Sequence, residues 1–108
     1  MLENFRLKVF RAVAEHLSFR KAGYALYLTQ PAVTLQIKTL EGELGTKLFE
    51  RKPSGVFLTD AGKLLLQFAG ELHRISVEAE NQMIGVDVIS DRNGYSAFKQ
   101  RGRLADAS

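Results

Sequence analysis

The chain has 108 residues, which suits one domain with a small appendage, and its 45% hydrophobic and 25% charged content is ordinary for a globular protein. The sequence contains no cysteine, which excludes a disulfide framework and a cysteine-based zinc site. No apolar run approaches the roughly 20 residues of a membrane-spanning helix, and the charged N-terminus "MLENFRLKVFRAVAEH" does not have the form of a secretion signal. A cytoplasmic location is therefore expected.

Positive charge is concentrated at the front of the chain. Residues 1–58 contain nine Lys or Arg and five Asp or Glu (net +4), residues 59–90 contain two and five (net −3), and residues 91–108 contain four and two (net +2). A basic front suggests an anionic partner. Many soluble domains carry such a charge without binding a polyanion, so charge alone does not decide the function.

Two short helices are predicted first. The first is predicted over residues 2–16, and the apolar positions follow helical spacing: Leu2, Phe5, Val9, Phe10, Val13 and Leu17. Ser18 is expected to cap a second helix of about ten residues. That helix would bury Phe19, Ala22 and Leu26.

A third helix begins within "YLTQPAVTLQIKTLE", residues 27–41. Thr29 is a favourable N-cap, and Pro31 lies in the first turn, where its missing N–H costs nothing. A narrow apolar stripe follows, and Gly45 is the expected stop. The stripe consists of Val33, Ile37, Leu40 and Leu44.

The segment "TKLFERKPSGVFLT" predicts a small β-hairpin, because the turn residues "KPSG" separate two short runs and the second run, "VFLT", is β-branched and aromatic. Thr59 is then expected to cap a long helix through about residue 84, with apolar residues in a heptad pattern. Residues 85–108 break every period and predict an irregular tail, with a short strand at 86–89.

This order of elements is typical of a winged helix-turn-helix, whose second helix enters the major groove of DNA. Thr29 belongs to the polar cluster at the start of the third helix that is expected to contact DNA. Within this cluster Gln30 and Gln36 offer the donor and acceptor that adenine requires, and Thr34 can contact a base or a phosphate. Pro31 and Ala32 suit a thymine methyl. The cations expected to contact the DNA backbone or the minor groove are Arg20, Lys21, Lys38, Arg51 and Lys52.

Each of these features also has a simpler interpretation. Thr29 and Pro31 can serve helix capping alone, and Gln36 can be an ordinary solvated residue. Arg51 and Lys52 can blunt a strand edge, and the apolar seam after residue 60 can be core. The combination of all the elements in one chain favours DNA binding.

The stretch "SFRKAGYALYLTQPAVTLQIKTLEGELGTKLFER", followed by "GVFLTDAG", resembles the N-terminal domain of LysR-type transcriptional regulators over about residues 3–84. The motifs that carry the resemblance are "SF", "TQPAVT", "QIK", "LE", "LG", "LFER" and "LTDAG". The resemblance implies a mainly α fold: a winged helix-turn-helix of three helices and a hairpin wing at 1–59, then a dimerising linker helix at 60–84. It also implies DNA contacts for Gln30, Pro31, Thr34, Leu35 and Arg51.

The sequence departs from the family pattern at several points. Leu35 stands where many members carry arginine, which either allows contact with thymine methyl groups or weakens binding. Gly23 stands where alanine is usual and should cost about 1 kcal/mol in helix propensity. The family's effector-binding domain has no counterpart in residues 85–108, so this tail predicts no small-molecule effector site.

The predicted function is sequence-specific binding of double-stranded DNA as a homodimer, which controls transcription at an inverted-repeat operator with half-sites about 34 Å or a multiple apart. The linker helices would pair through Leu65, Phe68, Leu72, Ile75 and Ala79. No cofactor, metal or membrane partner is expected.

Two alternatives belong to other classes. One is a protein-interaction module, or a fragment that dimerises with a longer relative and blocks it. The other is an enzyme, which is not expected: His16 and His73 lie within helical patterns, and no catalytic set, metal-spaced cluster or phosphate loop accompanies either.

Overall fold

The computed structural model describes residues 4–84 and residue 86. Within these residues the chain forms four helices and a two-stranded antiparallel hairpin, which confirms the predicted winged helix-turn-helix and the long helix after it. The elements are α1 (Phe5–His16), α2 (Phe19–Leu26), α3 (Gln30–Leu44), β1 (Phe49–Lys52), β2 (Gly55–Leu58) and α4 (Asp60–Ile84). None of these helices is long and apolar enough to cross a bilayer.

Polar side chains cap the start of each helix. The side-chain oxygens of Ser18, Thr29 and Thr59 accept hydrogen bonds from backbone N–H groups three residues further on, as the sequence predicts. Asn4 does the same for α1. These bonds satisfy N–H groups that have no partner inside the helix, and each cap typically contributes about 1 kcal/mol.

The predicted first helix, residues 2–16, ends where α1 ends, at His16, whereas α2 is shorter than predicted. Leu17 and Tyr27 are the C-caps, with left-handed φ values of 48° and 59°. The expectation that Leu17 shares the apolar face of α1 is wrong, because Leu17 follows the helix and is 46% exposed. The second helix has 8 residues instead of about ten.

Gly23 fits the turn between α2 and α3, which corrects the expectation that glycine there only weakens the helix. A Cβ at Gly23 would lie 2.6 Å from the carbonyl oxygen of Leu28, because the chain folds back closely after α2. The N–H of Leu28 donates to the carbonyl of Gly23 at 2.8 Å and closes this turn.

The core lies among the first three helices and β1. Its fully buried large side chains are Val9, Phe10, Val13, Val33, Ile37 and Leu48. The predicted stripe of α3 is confirmed at Val33, Ile37 and Leu40, but Leu44 is 49% exposed, since it is the last residue of the helix.

The hairpin is joined to the start of α4 by close backbone packing. The N–H of Thr59 donates to the carbonyl of Leu48 at 3.0 Å, and its hydroxyl donates to the carbonyl of Lys47 at 2.7 Å. A Cβ at Gly62 would overlap the backbone carbonyl of Leu48. Glycine at this position therefore permits α4 to lie against the hairpin.

The chain divides into two units after Arg74, and α4 begins in the first and ends in the second. In the first unit, one side of α4 packs against the core through Ala61, Leu65, Leu66 and Ala69. In the second unit the helix continues to Ile84, and the N–H of Val86 donates to the carbonyl of Met83 at 3.0 Å. The predicted strand at 86–89 and the tail lie outside the described residues, apart from Val86.

Gly62→Ala should lower the free energy of unfolding by about 1–3 kcal/mol, because a methyl group has no room beside the Leu48 carbonyl. Gly70→Ala in the same helix is the matched control: nothing lies within 4 Å of its added Cβ, so stability should rise by roughly 0.5–1 kcal/mol. Urea unfolding at one protein concentration measures both changes. Equal stability of the two variants would contradict the close approach.

Candidate nucleic-acid interface

The exposed side of α3 carries most of the side chains that the sequence predicts to contact DNA. Opposite the buried stripe, Gln30, Pro31 and Lys38 are exposed, and Leu35 has 62% of its surface accessible. The residues that flank the stripe are half-buried: Ala32, Thr34 and Gln36. Thr29 is exposed, and its side chain caps the helix. One face of α3 is therefore in the core, and the other is accessible.

The hairpin places Arg51 beside this face. In the register of the hairpin Phe49 pairs with Leu58 and Arg51 with Val56. Alternation along the strand puts Phe49 and Arg51 on the same face, so the buried phenylalanine directs the arginine towards the helices. The Nη2 atom of Arg51 donates to the hydroxyl oxygen of Thr34 at 3.4 Å.

Lys52 lies on the other face of the hairpin and does not join this group. Its ammonium is 3.9 Å from a carboxylate oxygen of Glu50 and 5.5 Å from the ring centroid of Phe57. Arg20 likewise stays on the surface of α2, where its guanidinium lies 5.7 Å from the ring centroid of Tyr24. Of the predicted cations in the wing, the structure brings Arg51 alone to α3.

A cavity of about 340 Å³ opens between α3 and the hairpin. Three cations line it: Lys38, Lys47 and Arg51. Glu41 also lines it, and its carboxylate accepts hydrogen bonds from the backbone N–H groups of Leu48, at 2.7 Å, and Phe49, at 3.4 Å. The positive charge of the cavity thus exceeds the negative charge, which suits an anionic partner.

Lys47 is a candidate contact that the sequence interpretation missed. It lies between the stop of α3 and the start of β1, and it lines the same cavity as Lys38 and Arg51. The sequence held one usable signal, since Lys47 precedes the apolar pair Leu48 and Phe49 that begins the predicted wing. The position of the Lys47 side chain depends on how the hairpin packs against α3. The spacing of residues in the sequence does not specify this packing.

Neither histidine belongs to this surface. His16 is in the last turn of α1, where a basic residue is favourable for the helix dipole. His73 Nδ1 lies 3.1 Å from a guanidinium nitrogen of Arg11. Among the described residues, no group of three His, Cys, Asp or Glu could hold a metal ion.

The predicted dimerisation residues differ in exposure. In the first unit Phe68 and Leu72 are exposed, whereas Leu65 is half-buried and packs against the core. Leu64, which the sequence interpretation did not select, is 57% exposed. In the second unit Ile75 is exposed and Ala79 half-buried. The exposed apolar stripe of α4 in the first unit is therefore Leu64, Phe68 and Leu72.

The sequence and the fold are similar to known regulators. The chain is 45% identical over 67 residues to a probable RuBisCO transcriptional regulator of Porphyra purpurea, which covers 62% of this chain and 21% of that protein. The fold matches the crystal structure of the CbnR DNA-binding domain in complex with DNA at a TM-score of 0.68 and 35% identity, covering 72% of this chain and 90% of that one. It matches the BenM DNA-binding domain in complex with catB site 1 DNA at a TM-score of 0.67 and 38% identity, covering 74% and 85%.

The chain spans about a fifth to a third of the length of the curated relatives it matches, from 19% to 31%. Residues 5–63 match the family model of bacterial regulatory helix-turn-helix proteins of the lysR family. This match covers more than half of the chain and includes α1, α2, α3 and the hairpin. The chain belongs to the lysR family of bacterial regulatory helix-turn-helix proteins.

Proposed function

We propose that this chain binds double-stranded DNA sequence-specifically as a homodimer and controls transcription in the cytoplasm. One observation carries the proposal: the accessible N-terminal half of α3 and the cations Lys38, Lys47 and Arg51 lie around one surface. Short polar side chains at the start of an exposed helix suit base edges, and neighbouring cations suit phosphates. The DNA complexes of CbnR and BenM, which have similar folds, support this assignment.

Thr34 has a defined chemistry on this surface. Its oxygen accepts a hydrogen bond from Arg51 at 3.4 Å, while the hydroxyl keeps a proton that it can donate. Thr34 would therefore contact an acceptor, such as a phosphate oxygen, N7 or O6 of guanine, or O4 of thymine. Gln30, exposed at the first position of α3, would supply both a donor and an acceptor to adenine.

The direct test of the function is selection of bound fragments from random DNA. The proposal expects recovery of an imperfect inverted repeat, because a symmetric dimer presents two equal reading helices. Recovery of no preferred sequence would overturn sequence-specific binding. Failure to bind any DNA at low salt would favour the alternative of a protein-interaction module, with the helix-turn-helix as a scaffold.

Thr34→Ala and Gln30→Ala should each weaken binding to the selected operator by about 1–3 kcal/mol and change binding to unrelated DNA little, because a base contact forms only on the matching sequence. Mobility-shift titrations of both DNAs at one salt concentration measure the two losses. An equal loss of affinity for the operator and for unrelated DNA would show that these side chains do not recognise bases.

Lys38→Ala, Lys47→Ala and Arg51→Ala should weaken binding to all sequences and reduce the slope of log K against log salt by about one for each lost phosphate contact. Arg74→Ala removes the same charge from α4, where Arg74 pairs with Glu71 at 2.8 Å, and serves as the control with an unchanged slope. An unaltered slope in any of the three cavity variants would show that its cation does not contact phosphate.

The dimer proposal rests on the apolar stripe of α4. Leu64, Phe68 and Leu72 have about half of their surface accessible, while other apolar residues of the helix pack against the core. Exposed apolar side chains at intervals of four residues form one strip of helix surface, and pairing with a second copy would remove it from water. In the second unit Ile75, three residues after Leu72, is also exposed.

Leu72→Glu should dissociate the dimer, because a carboxylate within the stripe would be buried between the two copies without a partner. Gln67→Glu adds the same charge at an exposed position of α4 outside the stripe, and it should remain dimeric. Sedimentation velocity of both variants at equal protein concentration measures the oligomeric state. A dimeric Leu72→Glu protein would place the pairing surface elsewhere.

A further inference from the structure

Two contacts fix the guanidinium of Arg51, although the residue is exposed. Its central carbon lies 3.9 Å from the ring centroid of Phe19, and Nη2 lies 3.4 Å from the Thr34 hydroxyl oxygen. The first contact is a cation–π interaction from α2, and the second is a hydrogen bond to α3. The arginine of the wing is thus in contact with both helices of the helix-turn-helix.

The Phe19 ring is itself held on its other sides. It is 6% exposed and packs edge-on against Phe49, with ring centroids 5.8 Å apart and an interplanar angle of 71°. Phe49 in turn lies 5.4 Å from the ring of Phe10 in α1. Ser18 caps α2 immediately before Phe19. The ring of Phe19 is therefore held in place by the core, and its remaining face is available to the Arg51 guanidinium.

Ordering of Arg51 before binding has a consequence for DNA affinity. A long exposed arginine loses rotamer freedom when it contacts a phosphate or a base, and this loss opposes binding. An arginine that already lies on an aromatic ring loses less. The positive charge of Arg51 attracts DNA in any orientation of the guanidinium. The contact with the Phe19 ring is what holds the guanidinium in one orientation.

We propose that Phe19 is a positioning residue for DNA binding: its ring holds the Arg51 guanidinium beside Thr34 in the orientation that contacts DNA. This inference rests on the proposed function, since it names the residue that orders one of its contacts. The competing interpretation is that Phe19 serves the core alone. The two differ in one measurable quantity, the coupling between Phe19 and Arg51 in DNA affinity.

A double-mutant cycle measures this coupling. Phe19→Leu should weaken binding to the selected operator by about two- to fivefold, the size of an exposed cation–π contact, in the protein that carries Arg51. In the Arg51→Ala protein the same change should have no further effect. Phe10→Leu is the matched control, since it shortens a buried ring of the same stack that contacts Phe49, and its effect should be equal in both backgrounds.

Two results would overturn the proposal. An equal loss on Phe19→Leu with and without Arg51 would assign Phe19 to the core alone. A gain in affinity on Phe19→Leu would mean that Arg51 must leave the ring to contact DNA. If Phe19→Leu does not fold, pentafluorophenylalanine at position 19 keeps the shape and reverses the ring quadrupole. The proposal then requires weaker binding only when Arg51 is present.

A measurement without DNA separates this inference from the proposed function. The ring current of Phe19 should shift the side-chain proton resonances of Arg51 upfield in the free protein. Phe19→Leu should abolish this shift and Phe10→Leu should keep it. Its absence in the unsubstituted protein would overturn the positioning role even if DNA binds. If the upfield shift is present but the protein binds no DNA, the contact between Phe19 and Arg51 is real. The proposed function, and with it the positioning role in DNA binding, would then be wrong.

Discussion

The packing of Phe49 between Phe10 and Phe19 is the contact on which the proposed DNA-binding surface depends. A two-stranded hairpin of four-residue strands is not stable alone in water, so its position must come from the core. Phe49 supplies that packing, with ring centroids 5.4 Å and 5.8 Å from its two neighbours. The carboxylate of Glu41, in α3, also accepts a hydrogen bond from the backbone N–H of Phe49. Strand alternation then determines where Arg51 lies.

The same core allows α3 to keep one face accessible. A helix of 15 residues is marginal in isolation, and its stability here comes from the buried stripe that includes Val33 and Ile37. The exposed face contributes little to folding, which leaves its side chains available for a partner. Glycine at position 62 lets α4 approach the Leu48 carbonyl, so the hairpin also packs against the start of α4.

The helices could be predicted from the sequence because their ends are marked by residues that interact with near neighbours in the chain. The side-chain contacts at the proposed interface could not, because they depend on how separate elements pack together. Ser18, Thr29 and Gly45 mark helix ends by interactions within a few residues, and the structure has the helices where these signals put them. The stacking of Arg51 on Phe19 joins residues from two elements, so no sequence spacing reveals it. The exposure of Leu64 instead of Leu65 depends on which side of α4 meets the core, and a heptad pattern alone does not choose between adjacent residues.

The proposed interface separates two kinds of contact along α3 and the hairpin. Neutral side chains are concentrated near the start of α3, whereas Lys38, Lys47 and Arg51 surround the cavity beside the hairpin. Cations bind phosphates on any sequence and make affinity depend on salt, while neutral groups distinguish base edges. Leu35, with 62% of its surface accessible, belongs to the neutral group. The major groove offers an apolar side chain one apolar group, the thymine methyl, and this is the base contact that we propose for Leu35.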